Sequence, residues 1–355
     1  MPDGAAANVA VERPRVCADA MRGSKHSTMS SSPSTLRLAK RSPGDPPSLA
    51  LGTMNFGKRT AAAEAERIVR RALEHGVRVF DTANAYNQGE SERILGRALG
   101  RERDQVIVAT KVGVGFGGAS KPEGLAKETL ARALGESLER LATDRVDLYY
   151  LHVPDHKTPL EETLDAMKAL LDGQRVLAWG VSNYASWQIL DMDLLADARA
   201  MPRPAVSQVL YNALHRQLDV EYFAFARKHP VHTSVYNPLA GGLLTGKHRP
   251  DANPEKGSRF DGNAFYRGRY WTPAMFERAS ALAKLAQEHG LAPVDFAYAW
   301  VASRPGVDSI LVGPATVEQL DAAVAAVTRT LPAELLRRVD ELWREWTGTD
   351  TNYVR

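Results

Sequence analysis

Eight short apolar runs, each followed by a longer stretch of helical period, constrain this chain more than any other feature. The runs fall at 48–52, 77–80, 106–110, 146–151, 176–181, 206–210, 231–235 and 309–312. Between and after them, apolar residues recur at helical spacing over 61–75, 89–99, 124–142, 160–172, 184–198, 218–229, 273–289 and 317–327. Thr60 and Gly76 bracket the first of these as start and stop signals. Such alternation predicts a parallel sheet with helices covering it. A doubly wound sheet has the same ingredients. Its nucleotide-binding fingerprint would follow the first strand, but Gly52-Thr53-Met54-Asn55-Phe56-Gly57 lacks the Gly-x-Gly-x-x-Gly spacing. Eight repeats therefore predict an α/β chain closed into a (β/α)8 TIM barrel, with long loops at its C-terminal rim.

Residues 1–34 lack this periodicity and end in a Ser-rich run, so they are expected to be a disordered N-terminal extension. An Arg- and Ser-containing, acid-poor leader also suits an organellar presequence; we expect an extended start and a cytoplasmic protein. Residues 35–355 are expected to form the barrel domain. The net charge is +3, but the first 41 residues carry seven Lys/Arg against three Asp/Glu, so the remainder is near −1. The folded part thus shows no bias towards nucleic acid. A lone cysteine, Cys17, excludes an internal disulfide and a cysteine-based metal cluster. No run of about 18 apolar residues is present, so no transmembrane helix is expected.

In a barrel of this kind the C-terminal strand exits converge on one rim. Here those exits carry polar groups in succession: Asp81 with Tyr86 in the next loop, Thr110-Lys111, His152, Ser182-Asn183, Gln208 and Tyr236-Asn237. A single polar exit would mean little; a lone His or Lys there is commonly hydrogen-bonded or solvated. Six consecutive ones are hard to explain by packing. Phenol ionises at about 10, too high for efficient acid catalysis near neutrality. A neighbouring ammonium is expected to lower it, and a carboxylate would keep that ammonium charged. Asp81, Lys111 and Tyr86 therefore suggest a tuned proton donor, with His152 placed to orient a carbonyl oxygen. Ser182 has no basic partner for a nucleophilic triad, and the histidines lack metal-ligand spacing, so no metal is expected.

Protonating a carbonyl oxygen suits a reaction in which hydride arrives from a cofactor. Asp81, Ser182, Asn183 and Gln208 are placed to border and hold a carboxamide, and Tyr236 to stack on a nicotinamide ring. The following run, Asn237, Pro238, Leu239, Ala240, Gly241, Gly242, then onward to Lys247, allows close backbone approach and offers a cation for a pyrophosphate. Thr316 opens the helix after the last strand, where such barrels often hold a phosphate.

These residues together resemble the aldo-keto reductase family. The matching motifs are Phe80-Asp-Thr-Ala, Tyr86, Gly89-Glu-Ser-Glu, Leu95-Gly96, Thr110-Lys111, Leu151-His-Val-Pro-Asp155, Gly180-Val-Ser-Asn183 and Gln208-x-x-Tyr-Asn212. The resemblance implies a catalytic tetrad of Asp81, Tyr86, Lys111 and His152, with Tyr86 the proton donor and NADPH the usual cofactor. Within the family, the runs Tyr236 to Lys247, Arg259-Phe-x-Gly-Asn263, Tyr266-Arg-x-Arg-Tyr-Trp271 and Asn352-Tyr-Val-Arg355 are similar to the aflatoxin aldehyde/succinic semialdehyde reductases. That similarity implies a substrate pocket of Met54, Tyr86, His152, Tyr266, Arg269 and Arg355, the two arginines gripping a substrate carboxylate.

Two departures stand out near the cofactor's adenosine end. Ala315 stands where the family pattern has serine, and Ala323 where it has an adenine-contacting asparagine. Thr316 and Gln319 fit that end, and Arg259 and Lys247 could meet a 2′-phosphate, so NADPH is expected, with NADH not excluded. The expected partner is a small-molecule carbonyl substrate, bound by a monomer or homodimer. Two other readings use the same residues: a cofactor-binding redox sensor, as in the potassium-channel β subunits that resemble the family, and a biosynthetic sugar or polyketide ketoreductase.

Overall fold

The computed structural model describes residues 38–348, apart from 117, 119 and 120. The expected disordered extension and Arg355 lie outside the described residues. Strands β1 (Ser48–Gly52), β2 (Val79–Asp81), β3 (Ile107–Val112), β4 (Val146–Leu151), β5 (Val176–Ser182), β6 (Val206–Leu210), β7 (His232–Tyr236) and β8 (Ser309–Val312) close into one parallel barrel in sequential order. Each matches one of the eight apolar runs to within a few residues.

Helices α1 (Ala62–Glu74), α2 (Glu90–Leu99), α3 (Lys127–Leu141), α4 (Leu160–Asp172), α5 (Ser186–Ala198) and α6 (Tyr222–Lys228) follow the first six strands in turn. Each buries an apolar stripe against the barrel, as Ala65, Ile68, Val69 and Ala72 do on α1. After β7 the chain makes the expected long excursion, carrying a 3-10 turn (Ala240–Thr245) and the short helix α7 (Ala264–Tyr270) before α8 (Pro273–Glu288). Thr272 caps α8 by accepting from the Met275 amide, and Pro273 fills its first turn. Then come α9 (Pro293–Ala302), β8, α10 (Val317–Val327) and α11 (Ala333–Thr347). None of the helices among the described residues is long and apolar enough to cross a membrane.

The barrel interior holds a small core of its own: Ala109, Leu148, Tyr150, Ala178 and Val206. Tyr150 takes the largest share, and the neighbouring strand β5 makes room for it. A Cβ at Gly180 would lie 2.7 Å from the Val206 carbonyl and 2.9 Å from the Tyr150 ring. Only glycine fits there. At the N-terminal end, Leu38 packs on this core. Lys40 pairs with Asp308 at 3.2 Å, and His232 Nδ1 contacts the Ala39 carbonyl at 2.9 Å. The chain entering β1 thereby covers that end, leaving the site to the opposite rim.

Candidate active site

Strand pairing places the tetrad candidates. Asp81 is the last residue of β2 and sits opposite Ala109 on β3. Lys111 lies two residues beyond Ala109, on the same inward face. Its ammonium donates to Asp81 Oδ1 and to the Thr82 carbonyl, the latter at 2.7 Å. Both partners are buried, Lys111 completely. Burial lowers the Lys111 pKa, and Asp81 opposes that fall.

Tyr86 starts a 3-10 turn ending at Gly89, in which Asn87 and Gln88 take positive φ. Its ring faces the Lys111 ammonium, 5.2 Å from the centroid, and meets the His152 ring edge-on at 6.0 Å. Beneath, the Tyr150 ring lies 5.5 Å from the same ammonium. Side chains from β2, from the loop after it and from β4 thus surround Lys111.

One expectation is corrected. The Tyr86 phenol lies above its ordinary range, through burial, the Asp81 charge and Tyr266, with Arg259 opposing. The physical reason is where Lys111 aims. Its hydrogen bonds go to Asp81 and Thr82, and it meets the ring face of Tyr86. The phenol is therefore held protonated. His152 is held neutral: burial and then the Lys111 charge pull its pKa down to about 3. Its Nδ1 is buried and has no protein partner.

The next exits form a connected polar seat. Gln208 Nε2 donates to Asp81 Oδ2 at 2.8 Å. Ser182 Oγ accepts from Asn183 Nδ2 at 3.0 Å, which also reaches the His152 carbonyl at 3.0 Å. Tyr236 donates to Asn183 Oδ1 at 2.7 Å. Burial raises the Tyr236 phenol to about 12 while the Arg269 charge pulls the other way. Asn237 sits at φ 66 and organises the loop: its Oδ1 accepts from the Gly241 amide, and its Nδ2 donates to the Tyr270 hydroxyl, both at 2.7 Å. Pro238 is buried, Leu239 packs on the main core, and Gly242 follows at positive φ.

The remaining candidates divide. Lys247 pairs with Glu255 at 3.6 Å within the loop. Thr316 and Gln319 bond to each other's turn: Thr316 Oγ1 accepts from the Gln319 amide, and Gln319 Oε1 accepts from the Ala315 amide. That is a reciprocal cap on α10. Ala323 is buried in the core, facing no open surface. Met54, Tyr266 and Arg259 meet: Arg259 reaches Met54 Sδ at 2.8 Å and lies 5.5 Å from the Tyr266 ring centroid. Arg269 lies over the Phe265 ring at 4.4 Å and acts on His215, whose pKa is down to about 4 chiefly through burial.

Sequence reasoning passed over Arg59 and Asn55, both in the loop after β1. Asn55 is buried and donates to the carbonyls of Gly313 and Pro314, beside the start of α10. Its Oδ1 accepts from Arg259 at 3.0 Å and from Arg59 at 3.3 Å. Among the described residues, neither guanidinium has a carboxylate partner. The signal that finds them is the same rule of strand exits, applied to the first strand. No group of His, Cys, Asp and Glu among the described residues could hold a metal.

A closed eight-strand parallel barrel with a buried Lys–Asp pair, a tyrosine and a histidine at its C-terminal rim is a (β/α)8 fold, and the relatives below make it an oxidoreductase. The chain belongs to the aldo/keto reductase family, whose sequence model matches residues 48–344. It is 35% identical to the human protein named aflatoxin B1 aldehyde reductase member 2, over 94% of this chain and 97% of that one. Human aldo-keto reductase family 7 member A3 is likewise 35% identical, over 87% of this chain and 97% of its own. An Arabidopsis thaliana protein named probable voltage-gated potassium channel subunit beta is 33% identical, over 77% of this chain and 85% of that one.

Proposed function

We propose that this protein reduces an aldehyde or ketone to an alcohol, using NADPH, with Tyr86 as the proton donor. The observation that carries the reading is the fully buried Lys111–Asp81 pair packed against the Tyr86 and His152 rings. Members of this family generally use NAD(P)H. The residues present fit that group: an amide-and-hydroxyl seat at Ser182, Asn183 and Gln208, an aromatic ring at Tyr236, and two unpaired arginines near the start of α10. Ser182, Asn183 and Gln208 would hold the carboxamide end, and Arg59 and Arg259 a phosphate. When bound, the cofactor supplies the hydride.

The chain's own residues do the rest. Neutral His152 orients the carbonyl oxygen by a hydrogen bond. Tyr86, kept protonated by burial and by Asp81, gives its proton only to a strongly basic oxygen, which is what the reduced carbonyl becomes. Asp81 keeps Lys111 charged and in place against the Tyr86 ring. Tyr266 and Arg269, on the short helix above the rim, favour a substrate with a carboxylate or a second carbonyl. Arg355 is proposed as a further grip on the same group, and the fold domain as residues 35–355.

A panel of carbonyl compounds tests this, assayed with NADPH and NADH in parallel and including succinic semialdehyde. Steady NADPH-dependent turnover is expected, fastest with carboxylate-bearing aldehydes. Cofactor binding without turnover of any panel member would instead support a redox-sensing role.

A further inference from the structure

Outside the tetrad, a second carboxylate lies deep in the protein: Glu92. Its side chain is fully buried, on α2. Burying a carboxylate is unfavourable unless both oxygens are partnered. Here both are: Oε1 accepts from Thr110 Oγ1 and Oε2 from Arg140 Nε, each at 2.6 Å.

Each partner leads to a tetrad residue. Thr110 immediately precedes Lys111 on β3, so its hydroxyl faces the helices while Lys111 faces inward. Arg140 comes from α3 and lies across Gly89, where a Cβ would sit 2.5 Å from Arg140 Cδ. Gly89, at φ 82, closes the turn that presents Tyr86. The neighbouring Ser91 extends the connection: its hydroxyl meets Thr53 at 2.7 Å and Thr82 at 3.0 Å. Thr82 is also the residue whose carbonyl receives Lys111. An apolar contact could fill this space. A buried ion pair aimed at both neighbours of the acid machinery does more than fill it.

We propose that Glu92 and Arg140 are positioning residues that hold Lys111 and the Tyr86 turn in register from behind the barrel wall. This rests on the tetrad reading above. Glu92 also adds a second negative charge that favours the Lys111 ammonium, after burial and Asp81. Its loss should therefore let Lys111 deprotonate at lower pH.

The test is Glu92→Gln, which keeps the shape and a hydrogen-bonding oxygen but removes the charge. We expect kcat to fall about tenfold, while carbonyl KM and NADPH Kd stay within about twofold. The high-pH limb of kcat should move down by at least about half a pH unit. Arg140→Lys, which keeps a cation beside Glu92, should leave that limb where it is. If the single variant fails to fold, the double variant Glu92→Gln/Arg140→Met removes both charges together and leaves none uncompensated. It should show the same fall and the same shift. Wild-type kcat with an unmoved limb, in either the single or the double variant, overturns the proposal. Failure of the tetrad reading would look different: turnover would survive in Tyr86→Phe.

Discussion

Gln208 donates to Asp81 Oδ2 at 2.8 Å, so a residue of the proposed cofactor seat is bonded directly to the tetrad. Asp81 therefore answers to two donors, Gln208 on one oxygen and Lys111 on the other. The carboxylate's work is to hold the ammonium and to fix the seat relative to it.

Removing that carboxylate strands a buried cation. Asp81→Asn is expected to lower stability by about 3–5 kcal/mol, read from chemical denaturation. Combining it with Lys111→Met should recover part of the loss, because no uncompensated charge remains. Equal losses in the single and double variants would mean that the pair is not the source.

The pH dependence follows from two opposite shifts. His152 is neutral above a pKa of about 3, and Tyr86 stays protonated below a value raised from its usual range. Both are in the required form across the whole neutral region. The kcat of carbonyl reduction should be flat from about pH 5 through neutrality, and its high-pH limb belongs to Lys111, whose pKa burial lowers. An inflection near about 6.5, the ordinary histidine value, would show that His152 is not held neutral.

Arg59 and Arg259 converge on one neutral acceptor, Asn55 Oδ1. Two like charges held close without an anion point to an anion that arrives with the cofactor. Arg259→Ala should raise the NADPH Kd at least about tenfold, with Arg59→Ala acting in the same direction. NADH binding should change little if the missing anion is the 2′-phosphate. Parallel titrations with both cofactors measure this, and equal losses would place the arginines elsewhere on the cofactor.

Inside the barrel, Gly180 leaves no room for a methyl group beside Tyr150 and the Val206 carbonyl. Gly180→Ala is expected to cost about 1–3 kcal/mol. Because Tyr150 packs under Lys111, kcat should fall as well. An unchanged Tm and kcat would mean that the strands part at no cost.

The barrel, and the meeting of Asp81, Tyr86, Lys111 and His152 at one rim, were legible because both depend on periodic patterns. Strands β1 to β8 are short apolar runs, those from β2 to β7 have polar exits, and Asp81, Lys111 and His152 each sit at such an exit. Helix α9 was not legible: Phe296 to Ala302 are all buried, so its residues carry no amphipathic period. Helix α11 has a strong stripe but follows the last repeat, where no strand marks it. At the rim, residue type suggested candidates without aiming them. Lys247 turned to Glu255, and Thr316 and Gln319 cap a helix. The direction of the Tyr86 shift depended on where the Lys111 hydrogen bonds point, which spacing along a chain does not encode.

The central claim is that Tyr86 delivers the proton. Tyr86→Phe keeps the ring that packs against Lys111 and His152 and removes only the hydroxyl. The decisive measurement is kcat for NADPH-dependent carbonyl reduction in this variant, with NADPH Kd measured on the same sample. The account expects kcat to fall by at least about a hundredfold while Kd stays within about twofold. Turnover near the wild-type rate with unchanged Kd would contradict it.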